Sequence, residues 1–460
     1  MHSRRYFFLS VGVSVALIAG CATSPSMEQA PPIVFVHGNG DTAALWQTTI
    51  WRFESNGWPS KRLHAIELPY PLARDDDSKE QAGRTSTAQA MAYLKAEVEK
   101  VRRETGADKV VLYSNSRGGF VIRNYIQNGG GDTTVSHAIL GGAPNHGIWS
   151  IKGFREGNEF SGTGPFLTAL NAPKNSNGDE VTGPVKWMTI RSDRNDKYAQ
   201  ADGLWIGAKG TATNVTFAGP ELKGAKNVVL PAIDHRETSF SPAAFAAAYE
   251  FITGKPPATM GVSPEASIAL SGNITGMGVN PLDSKSGNIV NNLPLVGAEL
   301  TVYETGAGSG VRVGTAAYAK TVGIDGGWGP FTAKAGAAYE FVVTAPGYAV
   351  THIYRSAFAR SSEVVNLRPE RISDADRDVK AILIFNRPRG YFDAERDKMS
   401  FDGKAPPPGI PPAGAGLASS TIKLAQAVDR EVKAEFNGEQ LTGRTWSAAD
   451  NHVVVLELTY

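Results

Sequence analysis

The run Lys109-Val110-Val111-Leu112-Tyr113-Ser114-Asn115-Ser116-Arg117-Gly118-Gly119 passes from an apolar segment into a glycine pair with no loop between them. A short apolar run bounded in this way reads as a buried strand that turns at once into a helix. A turn that sharp crowds the side chains two before and two after its apex, so both must be small. Ser114 and Gly118 meet that demand, Ser114 standing where the G-x-S-x-G pattern has its first glycine. The apex is Ser116, which makes it a candidate nucleophile.

Three other places can supply such a serine with partners. Upstream, Pro31-Pro32-Ile33-Val34-Phe35-Val36 is a short apolar strand running into His37-Gly38-Asn39-Gly40. In serine hydrolases of the α/β type, a loop here gives one backbone N–H to the oxyanion hole, and the residue after the nucleophile gives the other. Asn39 and Arg117 are the candidate donors, with His37 shaping the loop. Of eight histidines, His235 alone follows a late strand, Asn227-Val228-Val229-Leu230-Pro231, in the segment Ile233-Asp234-His235-Arg236-Glu237. A helix then opens at Ser239 to Pro242 and runs through Phe245, Tyr249 and Phe251, so His235 lies in a loop at a strand's carboxyl end, the place of a general base. His146 is expected to order a loop near the cleft, and His352 and His452 belong to a later domain.

The carboxylate that orients the histidine must come from a neighbouring loop. After the strand Val185–Ile190, Arg191-Ser192-Asp193-Arg194-Asn195-Asp196-Lys197-Tyr198 offers Asp193 and Asp196. Asp196 is preferred, because the polar turn before it lets the chain leave the sheet and Tyr198 can pack back; Asp193 stays open as the alternative. Asp234 is disfavoured, since neighbours along an extended chain point to opposite sides.

From about residue 31 to 255, strand-like runs (Ile33–Val36, Leu63–Leu68, Lys109–Tyr113, His137–Leu140, Val185–Ile190, Asn227–Leu230) alternate with helical periodicity, clearest over Thr85–Glu104. That alternation predicts an α/β fold: a mainly parallel sheet with helices on both faces and its ligand site at the strands' carboxyl ends. The long stretch Ile148 to Gly183 is read as a partial lid. Lys255-Pro256-Pro257-Ala258 breaks the pattern. Beyond it, strand runs at 298–303, 339–344, 381–385 and 453–458 predict an all-β region over 256–460, divided into two subdomains at Pro406–Pro412.

The N-terminus has a basic start, Arg4-Arg5, and an apolar stretch to Ala19, shorter than the roughly twenty residues a spanning helix needs. This predicts a signal peptide over 1–20, of twin-arginine type, followed by a linker over 21–30. Leu17-Ile18-Ala19-Gly20-Cys21 resembles the lipobox of bacterial lipoproteins, which implies lipidation of Cys21 and an exported protein anchored in a membrane, the outer one by preference, with a periplasmic or extracellular location as the alternative. Cys21 is the single cysteine, so no intramolecular disulfide and no cysteine metal cluster can form. A net charge of +1 argues against a nucleic-acid partner.

Taken together, the His37-Gly38 loop, the Ser116 turn, His235 through Pro242 and Phe251-Ile252-Thr253-Gly254 resemble the bacterial class 2 lipases and carboxylesterases of the α/β-hydrolase fold. With Tyr354-Arg355-Ser356-Ala357-Phe358 and Trp446-Ser447-Ala448-Ala449-Asp450, the whole chain is similar to archaeal long-chain carboxylesterases that carry a C-terminal lipid-binding β-barrel domain. The resemblance implies a serine carboxylester hydrolase without cofactor or metal, acting on lipid esters through Ser116, His235 and an acid, with the β domain gripping the acyl chain. In the archaeal relative that acid follows the strand after the nucleophile helix, where this chain has Leu140-Gly141-Gly142. No carboxylate stands there, which returns the choice to Asp196 or Asp193. Two other functions fit the pattern: an extracellular depolymerase of polyesters such as polyhydroxyalkanoate, and a non-catalytic surface-binding lipoprotein on a hydrolase scaffold.

Overall fold

The computed structural model describes residues 27–193, 196, 208–215, 221–279, 288–376, 378–411, 416–426 and 429–460. The N-terminal segment with Arg4-Arg5 and Cys21, and Tyr198, lie outside the described residues. Among the described residues no helix is long and apolar enough to cross a membrane.

Six strands make the first body: β1 (Ile33–Val36), β2 (Leu63–Ala65), β3 (Val110–Asn115), β4 (Val135–Gly141), β5 (Lys186–Ser192) and β6 (Lys226–Leu230). They are all parallel, in the order β2-β1-β3-β4-β5-β6. The helices are α1 (Gln47–Ser55), α2 (Thr87–Thr105), α3 (Gly118–Asn128), α4 (Pro165–Leu170), α5 (Glu237–Phe240) and α6 (Pro242–Thr253). Because side chains alternate along a strand, each central strand feeds two cores. Val34, Val36, Val110 and Leu112 pack with Leu94, Val98, Ile122 and Tyr125 on the α2/α3 face. Ile33, Phe35, Val111 and Tyr113 pack with Phe53, Phe245 and Tyr249 on the α1/α6 face. Burial on both faces explains why these strands read as unbroken apolar runs. Helix α2 starts on a capping box, in which Ser86 and Gln89 each bond the other's backbone N–H, and ends at Gly106.

Strand order reverses between β1 and β3, and the crevice at such a reversal is where open α/β sheets bind ligands. The loops after these two strands carry Asn39 and Ser116. The stretch 148–183 folds over this edge: Ile148, Trp149, Phe160, Leu167 and Leu170 bury against Phe120 of α3.

The second body is built on a seven-stranded mixed sheet, in spatial order Tyr318–Thr321, Glu299–Thr305, Ala338–Thr344, Val350–Arg355, His452–Glu457, Ala381–Asn386 and Ser419–Leu424. Ala381–Asn386 and Ser419–Leu424 flank the proline-rich stretch yet pair with each other. That stretch therefore connects two neighbouring strands of one sheet. The two bodies are packed together. Trp51 of α1 is buried in the core of the second body, and its indole N–H donates to the Ser361 carbonyl at 2.7 Å. Arg360 pairs with Glu54 at 3.0 Å.

Candidate active site

Ser116 has φ +52°, the left-handed region that L-residues rarely enter. Backbone bonds on either side hold it there: its N–H donates to the Gly141 carbonyl at 2.8 Å, and its carbonyl accepts from Gly119 at 2.9 Å. Glycine at 118 is required by close approach, since a Cβ there would lie 2.6 Å from the Val36 carbonyl oxygen. Gly38 is constrained in the same way, because its Cβ would meet Ser116 Cβ at 2.9 Å. Serine is accommodated at 114, where the side chain is fully buried and its hydroxyl donates to the Ile139 carbonyl at 3.3 Å.

His235 and Asp196 come together as a buried pair, with Nδ1 and Oδ2 2.9 Å apart. A carboxylate only accepts, so in the neutral imidazole the proton sits on Nδ1 and Nε2 keeps its lone pair. Asp193 is placed differently. Its Oδ1 accepts from the Ala232 N–H at 3.0 Å, tying down the start of the histidine loop. Asp234 is buried and turned away, its Oδ1 accepting from the N–H groups of Arg236 and Glu237 at 2.8 and 2.9 Å. The His235 carbonyl receives Asn115 Nδ2 at 3.1 Å and the Thr238 hydroxyl at 2.7 Å, so the loop is stitched to the end of β3.

In the loop after β1, Asn39 Oδ1 accepts from the Ala73 N–H at 2.8 Å. Among the described residues the amides of Asn39 and Arg117 donate to no other backbone group. His37 shapes this loop: Leu68 N–H donates to Nε2 at 3.0 Å, so Nδ1 carries the proton toward the Gly38 carbonyl, also 3.0 Å away. Burial pushes its pKa down and keeps it neutral. His146 bonds Glu180 at 2.8 Å. The Arg117 side chain has a role that sequence reasoning missed. Its guanidinium forms a two-point ion pair with Glu159 at 2.7 and 2.8 Å, both side chains 2% exposed, and also donates to the Pro71 and Thr85 carbonyls. The residue after Ser116 thus fastens the 148–183 stretch.

A cavity of about 270 Å³ opens here, lined by Gly38, Asn39, Ser116 and His235, by Ile148, Trp149 and Phe160 of the covering stretch, and by Arg84, Arg155, Asn158 and Arg236. Tyr391, from the second body, completes it. The described residues include no group of three or more His, Cys, Asp or Glu side chains able to hold a metal ion.

Residues 30–182 match the lipase (class 2) family, a span that holds Asn39, Ser116 and Arg117 and ends before Asp196 and His235. Residues 267–372 match the lipase C-terminal domain. A comparison with curated proteins found no match. Similar solved structures include the Bacillus licheniformis lipase BlEst2 in mature form, at 19% identity over 50% of this chain and 94% of that one, with a TM-score of 0.35. The propeptide form of the same lipase aligns over 92% of this chain and 94% of its own, at 13% identity and a TM-score of 0.36. Lipase B of Aspergillus fumigatus aligns at 14% identity over 50% of this chain and 54% of its own, with a TM-score of 0.33. The two domain matches fall in the order the fold lays the bodies out, residues 30–182 within the first and residues 267–372 within the second, and they mark the protein as a carboxylic ester hydrolase similar to the class 2 lipases.

Proposed function

We propose that the protein is a serine ester hydrolase in which Ser116 Oγ attacks the ester carbonyl and His235 Nε2 takes the hydroxyl proton. Asp196 holds the imidazole in the required tautomer and stabilises the imidazolium. The amides of Asn39 and Arg117 receive the developing oxyanion, each donor worth about 3 kcal/mol of transition-state stabilisation. The alcohol leaves with the proton from His235, and water, activated by the same histidine, then releases the acid from the Ser116 ester. The observation that carries this reading is the 2.9 Å His235–Asp196 pair, whose histidine lines one cavity with a serine held at φ +52°. That cavity lies just under the roughly 300–1,000 Å³ usual for drug-sized ligands. It takes the reacting ester and the first part of an acyl chain, and the remainder of a long chain lies outside it. A fluorophosphonate probe should modify Ser116 and no other serine in the intact protein; absence of labelling in active enzyme would overturn the assignment.

We also propose that the mature protein is exported and anchored through lipidated Cys21, on the strength of the lipobox-like segment. Anchoring of this kind needs more than one acyl chain. Cys21→Ser should move the protein out of the membrane fraction. A wild type that is soluble, with no lipid mass on Cys21, would remove the anchor.

A further inference from the structure

The loop that carries His235 follows β6, the outermost strand of the sheet in the described residues. Within the loop, Asp234 N–H donates to Glu237 Oε2 at 2.6 Å, and Asp234 accepts from the Glu237 N–H, so the two acids on either side of His235 brace one another. Each then turns its remaining acceptor capacity toward the second body. Arg387 reaches both, donating from Nη1 to Asp234 Oδ2 at 3.0 Å and from Nη2 to Glu237 Oε1 at 2.6 Å. Arg396 donates to Glu237 Oε2 at 2.6 Å, and the Tyr391 amide donates to Asp234 Oδ2 at 2.8 Å.

The pairing is buried and its basic side is rigid. Arg387 is 3% exposed and Asp234 not at all. The Arg387 guanidinium packs over the Phe436 ring at 4.4 Å and donates to the Tyr391 carbonyl. Arg396 is fixed by Asp397 at 2.8 and 2.9 Å. Two carboxylates three residues apart in a dry site repel each other unless cations hold them. Burial first, and then the charge of Asp234, push Glu237 up from its ordinary pKa, against the pull of the two arginines. Removing either arginine leaves an uncompensated acid beside the base, and the least costly relief is for the loop to move toward water.

We infer that the second body is a positioning part of the catalytic site, holding His235 against Asp196 through Arg387 and Arg396 on Asp234 and Glu237. The inference rests on His235 being the base, and it extends the second body's part in the reaction beyond any contact with the acyl chain. An ester as short as acetate needs the clamp as much as a long one does.

The test uses the intact protein and p-nitrophenyl acetate. Arg387→Ala should lower kcat by about 10- to 100-fold with KM changed less than about twofold, because the base is misaligned while the cavity remains. It should also weaken the far-downfield proton resonance of the His235 Nδ1–H···Asp196 bond. Arg387→Lys, which keeps the charge but loses the fork, should recover part of the loss. Arg360→Ala breaks a different ion pair between the bodies, with Glu54, and should lower Tm without touching kcat. If Arg387→Ala does not fold, Arg396→Ala and Arg387→Lys carry the same test, each with a fall in kcat of about three- to tenfold. A folded Arg387 or Arg396 variant with wild-type kcat, while the fluorophosphonate still labels Ser116, overturns the clamp and leaves the hydrolase reading standing. Loss of labelling in the wild type would instead strike the hydrolase reading itself.

Discussion

Ser116 and His235 face one cavity but are held by different means. The serine turn is fixed by backbone bonds to Gly141 and Gly119 and by the closeness of Gly118 to β1, all within the first body. The histidine loop leaves an edge strand and takes ionic support from Arg387 and Arg396, 150 to 159 positions beyond the acids they hold. The difference follows from where the sheet places each loop. A central strand with neighbours on both sides over-determines the turn that leaves it, which is what a strained backbone needs in order to persist. An edge strand supplies half of that support, and here the second body supplies the rest. On the proposed mechanism, the nucleophile would be set by the sheet alone, and the alignment of the base by the assembled molecule.

The comparison breaks first at the serine. Ser116→Ala should reduce turnover by up to about a millionfold, as for catalytic groups that act as a unit, while Tm moves little because no hydrogen bond among the described residues uses that hydroxyl. A purified variant keeping more than about a hundredth of wild-type kcat would falsify Ser116 as nucleophile.

The two acids near the histidine sharpen it next. Asp196→Asn removes the acceptor facing Nδ1 and should cost about ten-thousandfold in kcat, by analogy with the same change in serine proteases. Asp193→Asn leaves an amide oxygen able to accept from Ala232 N–H, so its effect should stay within about tenfold. The opposite ranking would make the 2.9 Å contact with Asp196 incidental.

A third test asks whether the serine side is self-contained. Arg117→Met keeps the backbone amide and strands buried Glu159, which should destabilise by about 3–5 kcal/mol in denaturant unfolding. Adding Glu159→Gln should recover much of that loss, since the penalty is an unpaired charge rather than a missing contact. No recovery would mean that the bonds to Pro71 and Thr85 carry the stability.

How much of this was legible in the sequence depends on how local each determinant is. The Ser116 turn was legible because a buried strand, two small residues and a helix start are adjacent in the chain. His235 was legible for a similar reason, as a histidine just past the last strand of an alternating pattern. Asp196 was preferred over Asp193 on the local turn alone, because both end beside the histidine loop and only tertiary distance tells the acid that faces His235 from the one that bonds Ala232. Arg117–Glu159 and Arg387–Asp234 join residues 42 and 153 positions apart, and no periodicity encodes such pairs. The one outward sign of the second pair was a run of basic and aromatic residues, Arg387-Pro388-Arg389-Gly390-Tyr391, inside a β region. The strand Val350–Arg355 escaped the pattern because its buried polar members find partners inside the fold. His352, for instance, bonds Glu340 at 2.7 Å and stacks on Trp446.

The smallest expected effect concerns Glu67, which lies beneath the oxyanion loop and also touches the second body. Its oxygens accept from the Ala43 N–H at 3.2 and 3.3 Å and from the Asn366 amide at 2.7 Å. Burial raises its pKa to about 7, opposed by those donors and by Arg368. The unfolded chain releases the same proton near pH 4.5, the ordinary value for this group. Between those two pH values the folded protein holds more protons than the unfolded one, so this group's contribution is complete at the acidic end and is lost as pH rises toward 7 and beyond. Glu67→Gln keeps an oxygen for Ala43 and Asn366 and removes the charge. With the side chain 16% exposed, the variant should be more stable than the wild type by about 2 kcal/mol at pH 8 and nearly equal to it at pH 5, by denaturant unfolding at both pH values. A variant less stable at pH 8 would show instead that the ionised carboxylate is needed by Arg368. Loop and second body would then be joined through a charge on this side too, and the contrast between a self-contained serine and a dependent histidine would narrow.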